Sequence, residues 1–381
     1  MHIRRGALLQ RIQASLKDRP VTALLGPRQC GKTTLARELI RKVKGAFFDL
    51  EDRQDLARLQ DPVRALGDLR GLVILDEVQK RPDLLETLRV LADRRPRRAS
   101  FLILGSASPD LLRHSSQSLA GRVHFIDMGG FDLVEAPRLD RLWLRGGFPS
   151  SYLAASGSGS FAWREDFLKT FLERDIPQWG IRVPAATLRR FWGMLAHYHG
   201  QTWNASEIAS SLGAAHTTTR HYLDILTGAF MVRQLPPWHE NMGKRLVKAP
   251  KVYIRDSGLL HSLMSLQTRE SLYAHPKFGA SWEGFALEQL VRRVPERHAY
   301  FWATHAGAEL DLLIMRDGKR WGFEFKVSEA PAVTKSMHIA LRDLKLRRLF
   351  VVYPGAHRFP MSDRIEAIPL AQALQLEAVG R

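Results

Sequence analysis

The stretch of sequence that decides the fold reads Gly26-Pro27-Arg28-Gln29-Cys30-Gly31-Lys32-Thr33, which fills every fixed position of a Gly-x4-Gly-Lys-Thr pattern. A short apolar run, Val21–Leu25, precedes it, and the run that follows, Thr34–Ile40, is typical of the start of a helix. A glycine-rich turn between a strand and a helix directs backbone N–H groups and a helix N-terminus towards a phosphate. The pattern therefore predicts a phosphate-binding loop rather than a chance glycine-rich turn.

Two side chains of this loop carry the expected chemistry. Lys32 is spaced to reach the β- and γ-phosphates of a nucleotide, and the hydroxyl of Thr33 is a ligand for magnesium. We therefore expect ATP and Mg2+ as cofactors and a catalytic role for Lys32. The expected nucleotide contacts are Gly26, Pro27, Arg28, Gln29, Cys30, Gly31, Lys32, Thr33 and Thr34.

A second apolar run, Gly71–Leu75, ends in the two carboxylates Asp76 and Glu77. A continuous apolar run of this kind is typical of a strand at the centre of a parallel sheet that is covered on both faces. We expect Asp76 to hold magnesium through water and Glu77 to act as the general base towards the attacking water. Because ATP hydrolysis needs both a phosphate loop and an acidic pair, each motif strengthens the interpretation of the other.

Two more residues are candidates for catalysis at the γ-phosphate. Ser106 follows a third apolar run, and a polar residue at the tip of a strand beside the acidic pair can sense the γ-phosphate; a simple turn serine is the alternative. Arg122 ends the stretch Leu119-Ala120-Gly121-Arg122. It is expected either to complete the site in cis or to act in trans, as an arginine finger in a neighbouring subunit. A surface arginine is the alternative for Arg122.

Composition limits the class of protein. The chain has 381 residues, of which 45% are apolar and 25% charged, as expected for a folded protein of two or three domains. No apolar run approaches the length that spans a bilayer, and the first residues lack the apolar core of a signal peptide. We therefore expect a cytoplasmic protein without a membrane partner. The single cysteine, Cys30, excludes a disulfide framework and a thiolate zinc site.

The chain is strongly basic, because 57 Lys and Arg residues outnumber 39 Asp and Glu residues and give a net charge of +18. Such a charge favours a polyanionic partner, and nucleic acid is the first candidate. An arginine-rich proteome is the alternative, because net charge informs on non-specific binding rather than on function.

The predicted fold class is α/β, and the pattern along the chain indicates four segments. Residues 1–130 alternate strands and helices in the doubly wound pattern of a P-loop domain, with strands near 21–25, 46–50, 72–76, 101–104 and 123–127. Residues 131–184 are predicted to form a helical lid and linker, which includes a flexible link at 156–160. Residues 185–245 are predicted to form a winged helix-turn-helix, and residues 246–381 a further α/β domain.

Local signals support the helix-turn-helix. Asn204 can cap a short helix that ends at Gly213, a second helix is expected from about His216 to Leu226, and a strand follows. Exposed side chains near the start of the second helix would meet phosphates or base edges of DNA. The candidates are Thr217, Thr218, Thr219, Arg220 and His221. A lid or a protein contact is the alternative role for this segment.

The last segment carries a charged constellation of its own. Asp311 lies in one predicted strand, and a turn at Asp317–Gly318 pairs it with the next strand, where alternation puts Glu324 and Lys326 on one face. With Glu283 from the preceding helix, these carboxylates can bind one or two magnesium ions for phosphodiester cleavage. The spacing suits a PD-(D/E)xK nuclease core, although such cores also serve as binding modules. An ordinary hairpin with polar rungs is the alternative.

The chain as a whole resembles a widespread prokaryotic family of AAA-type ATPases that have a C-terminal conserved domain of unknown function with a nuclease-like core. The resemblance extends over nearly the full length. It rests on Gly26–Gln29, Lys32–Thr34, Leu75–Lys80, Gly105–Ser106, Leu119–Arg122, Leu144–Pro149, Glu173–Ile176, Glu309–Asp311 and Glu324–Lys326. It implies ATP binding and places Gln79 in the nucleotide site, while Cys30 stands where other small residues are common.

These observations predict an ATP-dependent enzyme that acts on DNA, with branched or junction DNA suggested as the substrate by analogy between folds. In this interpretation the C-terminal domain grips or cuts the DNA. The alternative is a nucleotide-gated switch that binds a protein partner, with a C-terminal core that is not catalytic. A homo-oligomeric AAA-type ring is compatible with either function and would need Arg122 or another arginine to act in trans.

Overall fold

The computed structural model describes residues 3–106, 119–239 and 246–379. The chain divides into two compact units. The first consists of Met1–Phe131 with Phe148–Leu153 and Gly228–Met231; the second consists of Asp132–Gly147, Ala154–Thr227 and Val232–Arg381. The predicted subdivision of residues 131–381 into a lid, a winged helix-turn-helix and a nuclease-like domain stays a prediction.

Strands and helices are distributed throughout the described residues. The strands are β1 Val21–Gly26, β2 Gly45–Asp49, β3 Gly71–Asp76, β4 Ala99–Ser106, β5 Val123–Asp127, β6 Gln201–Thr202, β7 Val232–Leu235, β8 Lys251–Ile254, β9 Ala299–Ala303, β10 Glu309–Arg316, β11 Lys319–Phe325, β12 Arg348–Tyr353, β13 Phe359–Ser362 and β14 Ile365–Pro369. The helices are α1 Gly6–Asp18, α2 Lys32–Ile40, α3 Arg53–Arg58, α4 Pro62–Gly67, α5 Leu84–Ala92, α6 Leu139–Arg145, α7 Pro149–Tyr152, α8 Gly157–Thr170, α9 Ile176–Gln178, α10 Ala185–His197, α11 Ala205–Leu212, α12 His216–Gly228, α13 Ser257–Leu263, α14 Arg269–Tyr273, α15 Phe278–Val291, α16 Lys335–Asp343 and α17 Leu370–Ala373. None of these described helices is long and apolar enough to cross a membrane.

The first unit is built around a parallel sheet with the strand order β2-β3-β4-β1-β5. Each of the five strands predicted there is confirmed, with ends that differ by at most two residues. Val73, Ile74 and Leu75 of β3 are 0% exposed, because helices flank the sheet. The apolar run before the acidic pair is therefore a central strand, as its composition predicts.

The register of this sheet brings polar strand ends to one edge. Gly26 pairs with Ser106 across β1 and β4, and Asp49 pairs with Asp76 across β2 and β3. The strands are parallel, so their carboxyl ends lie along the edge at which the phosphate loop begins. Open α/β sheets bind their ligands at this edge.

In the second unit, β6, β8 and β7 form an antiparallel sheet in that order. We call this sheet, together with α11 and α12, the helix-pair segment. The Asn204 side chain caps α11 by accepting from the backbone N–H groups of Ser206 and Glu207, and Gly213 ends the helix with a φ of 71°, as predicted. The central strand, β8, follows residue 246, so this sheet includes chain that the sequence assigns to the C-terminal domain.

The second sheet of this unit has the order β13-β14-β12-β11-β10-β9. Strands β9, β10 and β11 pair antiparallel, whereas β11, β12 and β14 pair parallel, so the sheet is mixed. The predicted hairpin is confirmed, because Arg316 pairs with Lys319 across β10 and β11. Asp317 and Gly318 between them have left-handed φ values of 50° and 71°, the conformation of a two-residue hairpin turn.

The flexible link predicted at residues 156–160 is wrong, because these residues form the first turn of α8. The Ser156 side chain accepts a hydrogen bond from the backbone N–H of Gly159 at 2.9 Å and so caps the helix. A Ser-Gly composition is typical of a linker, but a serine at the N-cap position starts a helix when the residues that follow can pack.

Candidate nucleotide site and carboxylate cluster

The phosphate loop joins β1 to α2 through two residues in the left-handed conformation. Gln29 has a φ of 61°, and Gly31, the N-cap residue of α2, has a φ of 98°. A Cβ on Gly26 would lie 1.9 Å from the carbonyl oxygen of Met128, so only glycine fits there. The close approach of Met128 therefore explains Gly26, and the left-handed conformation explains Gly31. The loop leads directly into the N-terminus of α2.

Lys32 is a buried cation within this loop. Its Nζ donates to the carbonyl oxygens of Gly26 at 3.0 Å and of Pro27 at 2.8 Å, and the residue is 5% exposed. Carbonyl oxygens are neutral acceptors, so these two bonds orient the ammonium without neutralising its charge. A phosphate would be a stronger acceptor for the same group.

Arg5 supports the loop from a distance in sequence and belongs to none of the motifs of the chain. Its guanidinium donates to the carbonyl oxygens of Gly129 at 3.0 Å and Gly130 at 3.1 Å, and to that of Cys30 at 3.4 Å. These contacts tie the loop to the chain that leaves β5. Since the partners lie 25 to 125 residues away in sequence, no local pattern around Arg5 could have indicated this role.

The two predicted magnesium ligands meet at the same sheet edge. The Thr33 hydroxyl hydrogen-bonds the Asp76 carboxylate, which is 2% exposed and also accepts from the backbone N–H of Glu77 at 2.9 Å. Burial raises the pKa of Asp76, and the hydrogen bond from Thr33 opposes that rise. A buried carboxylate beside a hydroxyl supplies the hard oxygen donors that Mg2+ takes beside a nucleotide. These residues therefore fit the metal that the fold implies.

Glu77, Gln79 and Ser106 form one connected group. Gln79 Nε2 donates to Ser106 Oγ at 2.8 Å and to Glu77 Oε2, and Ser106 Oγ donates to Glu77 Oε2 at 3.4 Å. Glu77 has a φ of 55°, a left-handed conformation that costs a non-glycine residue about 1–3 kcal/mol and is concentrated at functional sites. The structure thus brings together three residues that the sequence implicated one at a time.

The predicted cis role of Arg122 is wrong. Its guanidinium pairs with the two carboxylate oxygens of Asp93 at 2.7 and 2.8 Å. Its carbonyl oxygen accepts from the N–H of Val21 at the start of β1, whereas the loop begins at Gly26, five residues along the strand. At a rise of about 3.3 Å per residue, the two ends of β1 are roughly 16 Å apart. Arg122 therefore lies at the opposite edge of the sheet from the phosphate loop.

The predicted C-terminal site contains a cation that the sequence analysis did not include. We define the carboxylate cluster as Glu283, Glu309, Asp311 and Glu324. The Nζ atom of Lys251, on β8, lies 3.6 Å from Glu283 Oε1 and 3.5 Å from Asp311 Oδ1 and also contacts Glu309 Oε1.

Lys326 contacts only one member of this cluster among the ion pairs observed here, with its Nζ 3.0 Å from Glu324 Oε2. Among the residues that the structure describes, no group of three or more His, Cys, Asp or Glu side chains is arranged to hold a metal ion. The described structure does not assemble Glu283, Asp311 and Glu324 into such a group, and their role as metal ligands stays a prediction.

Burial governs the protonation of the carboxylate cluster. It raises the pKa of both Glu283 and Glu324, and the charge of Asp311 adds to both increases. Burial by itself lowers the pKa of Lys251, but Tyr253 and the surrounding carboxylates raise it well above its ordinary value. Lys251 is therefore a permanent cation, whereas Glu283 and Glu324 retain protons more strongly than free carboxyl groups do.

The DNA-contact candidates are not equally placed on α12. Thr217, Arg220 and His221 are exposed and help to line a groove of about 910 Å³, together with Tyr198 and Trp203. Thr218 is half-buried.

Thr219 is wrong as a DNA contact. It is 0% exposed, and its hydroxyl donates to the carbonyl oxygen of His216 at 2.9 Å. Its side chain therefore faces the protein interior, on the opposite side of the helix from the groove.

Three parts of the chain match known domain families. Residues 18–136 match an AAA domain (AAA_14), residues 136–270 match a domain of unknown function (DUF8612), and residues 278–373 match a second domain of unknown function (DUF4143). The AAA domain and the DUF4143 domain confirm the resemblance to prokaryotic AAA-type ATPases, while the nuclease-like core stays a prediction.

Relatives extend the likeness to the full chain. It is 50% identical over all 381 residues to the proteins named "Uncharacterized protein Rv2008c" of Mycobacterium tuberculosis and "Uncharacterized protein Mb2031c" of Mycobacterium bovis, and covers 86% of each. The solved structure of the Walker-type ATPase PABY2304 of Pyrococcus abyssi is 16% identical with a TM-score of 0.50, over 69% of this chain and 96% of that one, and shows a shared fold. The chain therefore belongs to the same family as the two mycobacterial proteins, and its domains make it a prokaryotic AAA-type ATPase.

Proposed function

We propose that the protein binds ATP with Mg2+, hydrolyses it, and couples this turnover to DNA. The observation that carries the hydrolytic part is the convergence of Lys32, Thr33, Asp76 and the connected group of Glu77, Gln79 and Ser106 at one edge of the parallel sheet. Each of these residues belongs to a motif that ATP hydrolysis requires. With ATP as its substrate, the protein would act in the cytoplasm.

Each residue has a defined part in this proposal. The loop backbone and Lys32 bind and orient the phosphates, and Thr33 and Asp76 would hold magnesium, which supplies charge neutralisation at the β- and γ-phosphates. Glu77 takes the proton of the attacking water on its carboxylate. Ser106 and Gln79 hold that carboxylate and respond to the γ-phosphate through the same hydrogen bonds.

Arg122 has a part only if the protein assembles. Since it lies at the edge of the sheet opposite its own phosphate loop, we propose that it acts in trans, as an arginine finger within an AAA-type ring of identical subunits. Its ion pair with Asp93 would have to open for that role. Assembly of the ring would therefore include the breaking of this ion pair.

The helix-pair segment is the DNA-binding part of this proposal. Thr217, Arg220 and His221 line its groove, and exposed side chains near the start of a second helix are suited to phosphates and base edges. The net charge of +18 favours such a polyanionic partner. Branched or junction DNA is the proposed form by analogy between folds, with the C-terminal domain assisting in binding rather than cleaving.

One observation favours a second candidate, a nucleotide-gated switch that binds a protein partner and has a non-catalytic C-terminal core. The same groove is lined by Tyr198 and Trp203 as well as by Arg220. Aromatic side chains with a polar handle and arginines are enriched in protein interfaces. A groove of this mixed character therefore also suits a protein segment.

Steady-state ATP hydrolysis with magnesium tests both candidates, measured alone and with linear duplex, single-stranded and four-way-junction DNA. We expect turnover that rises with one DNA form and a stimulation that falls steeply as salt increases, because phosphate contacts release counterions. ATP turnover that no form of DNA changes would favour the protein-partner switch. A wild-type protein without any turnover would contradict the hydrolytic assignment itself.

A further inference from the structure

Lys251 occupies the centre of the carboxylate cluster. Its ammonium faces Glu283 from α15 and both Glu309 and Asp311 from β10. These side chains come from two different elements and converge on one cation. That is also the geometry in which acidic side chains from separate elements collect around a divalent metal ion.

Carboxylate oxygens of the cluster also accept hydrogen bonds from other parts of the protein. The Tyr253 hydroxyl donates to Glu283 Oε1 at 2.7 Å, and the backbone N–H of Phe325 donates to Asp311 Oδ2 at 3.0 Å. The Lys326 ammonium lies 3.0 Å from Glu324 Oε2. Mg2+ requires near-octahedral oxygen ligands, so it would need these carboxylate oxygens for itself. A metal would therefore have to displace these donors in addition to the Lys251 ammonium.

The fold fixes Lys251 in this position. It belongs to β8, the central strand of the helix-pair sheet, and its side chain is 5% exposed. Its Nζ lies 5.7 Å from the centre of the Phe301 ring, a cation–π contact. Tyr253, two residues further along β8, points to the same face and reaches the same cluster. Lys251 is therefore a built-in partner of the cluster and not a surface lysine that swings towards it.

Two ammonium groups and water offset the charge of the carboxylate cluster. The cluster has four carboxylates, and two ammonium groups, Lys251 and Lys326, contact it. Glu309 is half exposed, so water screens its charge.

We propose that the Lys251 ammonium is the resident cation of the C-terminal core, that it takes the place of a divalent metal among Glu283, Glu309 and Asp311, and that its removal opens a divalent-cation site. The core then binds no catalytic magnesium and performs no metal-dependent phosphodiester cleavage. This inference does not rest on the proposed ATPase function and can fail separately from it.

The test measures Mn2+ binding, with Mn2+ as a spectroscopic substitute for Mg2+, to the full chain without nucleotide by electron paramagnetic resonance. The proteins are the wild type, Lys251→Met, Lys251→Arg, Asp311→Asn and the double variant Lys251→Met/Asp311→Asn. The Asp311→Asn comparison separates Mn2+ at the cluster from Mn2+ at the phosphate loop. We expect no Asp311-dependent Mn2+ in the wild type or in Lys251→Arg, and one equivalent in Lys251→Met that the double variant loses.

Two results would overturn the proposal. One is an Asp311-dependent equivalent of Mn2+ in the wild type; the other is a Lys251→Met protein that melts cooperatively yet gains no Mn2+. If Lys251→Met does not fold, the comparison of the wild type with Asp311→Asn still decides. Identical Mn2+ titrations of those two proteins support the resident ammonium, and different ones contradict it.

Discussion

Two buried lysines in this protein have opposite surroundings. Lys32 of the phosphate loop donates to two backbone carbonyl oxygens, and Asp76 nearby accepts from a hydroxyl and a backbone N–H. Lys251 contacts three carboxylates directly. The Lys32 ammonium is held by neutral acceptors, so its charge is not neutralised and can attract an incoming anion. The charge of the Lys251 ammonium is neutralised by the carboxylates that surround it. Similar residue types thus give a binding site in one unit and an internal ion cluster in the other.

The largest expected effect is on ATP turnover when the loop lysine is removed. Lys32→Ala should lower turnover by roughly a hundredfold or more, because a charged donor aimed at the phosphates is lost. Steady-state phosphate release measures the effect. Lys42→Ala is a matched control, since Lys42 follows the same helix and its exposed ammonium pairs with Glu38 at 2.9 Å; we expect it to turn over like the wild type.

Glu77→Gln should slow the chemical step while ATP stays bound. Loss of a general base typically lowers a rate by about 10²–10⁴-fold. Single-turnover hydrolysis, combined with a nucleotide-binding titration, separates the two effects. Turnover at the wild-type rate would show that Glu77 is not the base.

The two lysines should differ sharply in their effect on stability. Lys251→Met leaves buried carboxylates without their cation and should lower the free energy of unfolding by about 3–5 kcal/mol. Lys32→Met removes an ammonium of similar burial but leaves two carbonyl groups behind, so its loss should be about 1–3 kcal/mol. Urea denaturation of both variants measures the difference, and equal losses would contradict the comparison.

The smallest expected effect, counted per pH unit, is on the pH dependence of stability. Glu283 and Glu324 have raised pKa values in the folded state, so the folded protein binds more protons than the unfolded chain above the ordinary carboxyl pKa. Stability contributed by these groups therefore falls as pH rises from about 5 towards neutrality and beyond, by at most about 1.4 kcal/mol per pH unit for each group. Glu324→Gln should flatten that slope in urea titrations made between pH 5 and pH 8. An unchanged slope would show that Glu324 is ionised throughout.

The sequence predicts well which residues the fold brings to one edge of the parallel sheet, because their determinants are local. The loop, the acidic pair and the strand tips each lie within a few residues of a strand end, and parallel strands bring their ends to one edge. The prediction fails where a residue's partners are remote in sequence. Arg5 and Lys251 belong to no motif, and each acquires its role only when distant elements fold against it.

The wrong predictions have equally physical causes. The cis role of Arg122 fails because a parallel sheet places strand starts and strand ends at opposite edges, and Arg122 lies beside the start of β1. Thr219 was grouped with its neighbours by sequence, although successive helix positions point in different directions. The composition around Ser156 is typical of a linker, but the side chain of Ser156 caps α8 and these residues are helical.

Lys251 also has a mechanical consequence. It is part of the central strand of the helix-pair sheet, yet its charged end is sealed among side chains of α15 and β10. Any hinge that pulled this sheet away from α15 would separate the Lys251 ammonium from Glu283 and leave a buried carboxyl group without its cation. We therefore expect the helix-pair segment and the C-terminal sheet to move together as one rigid body.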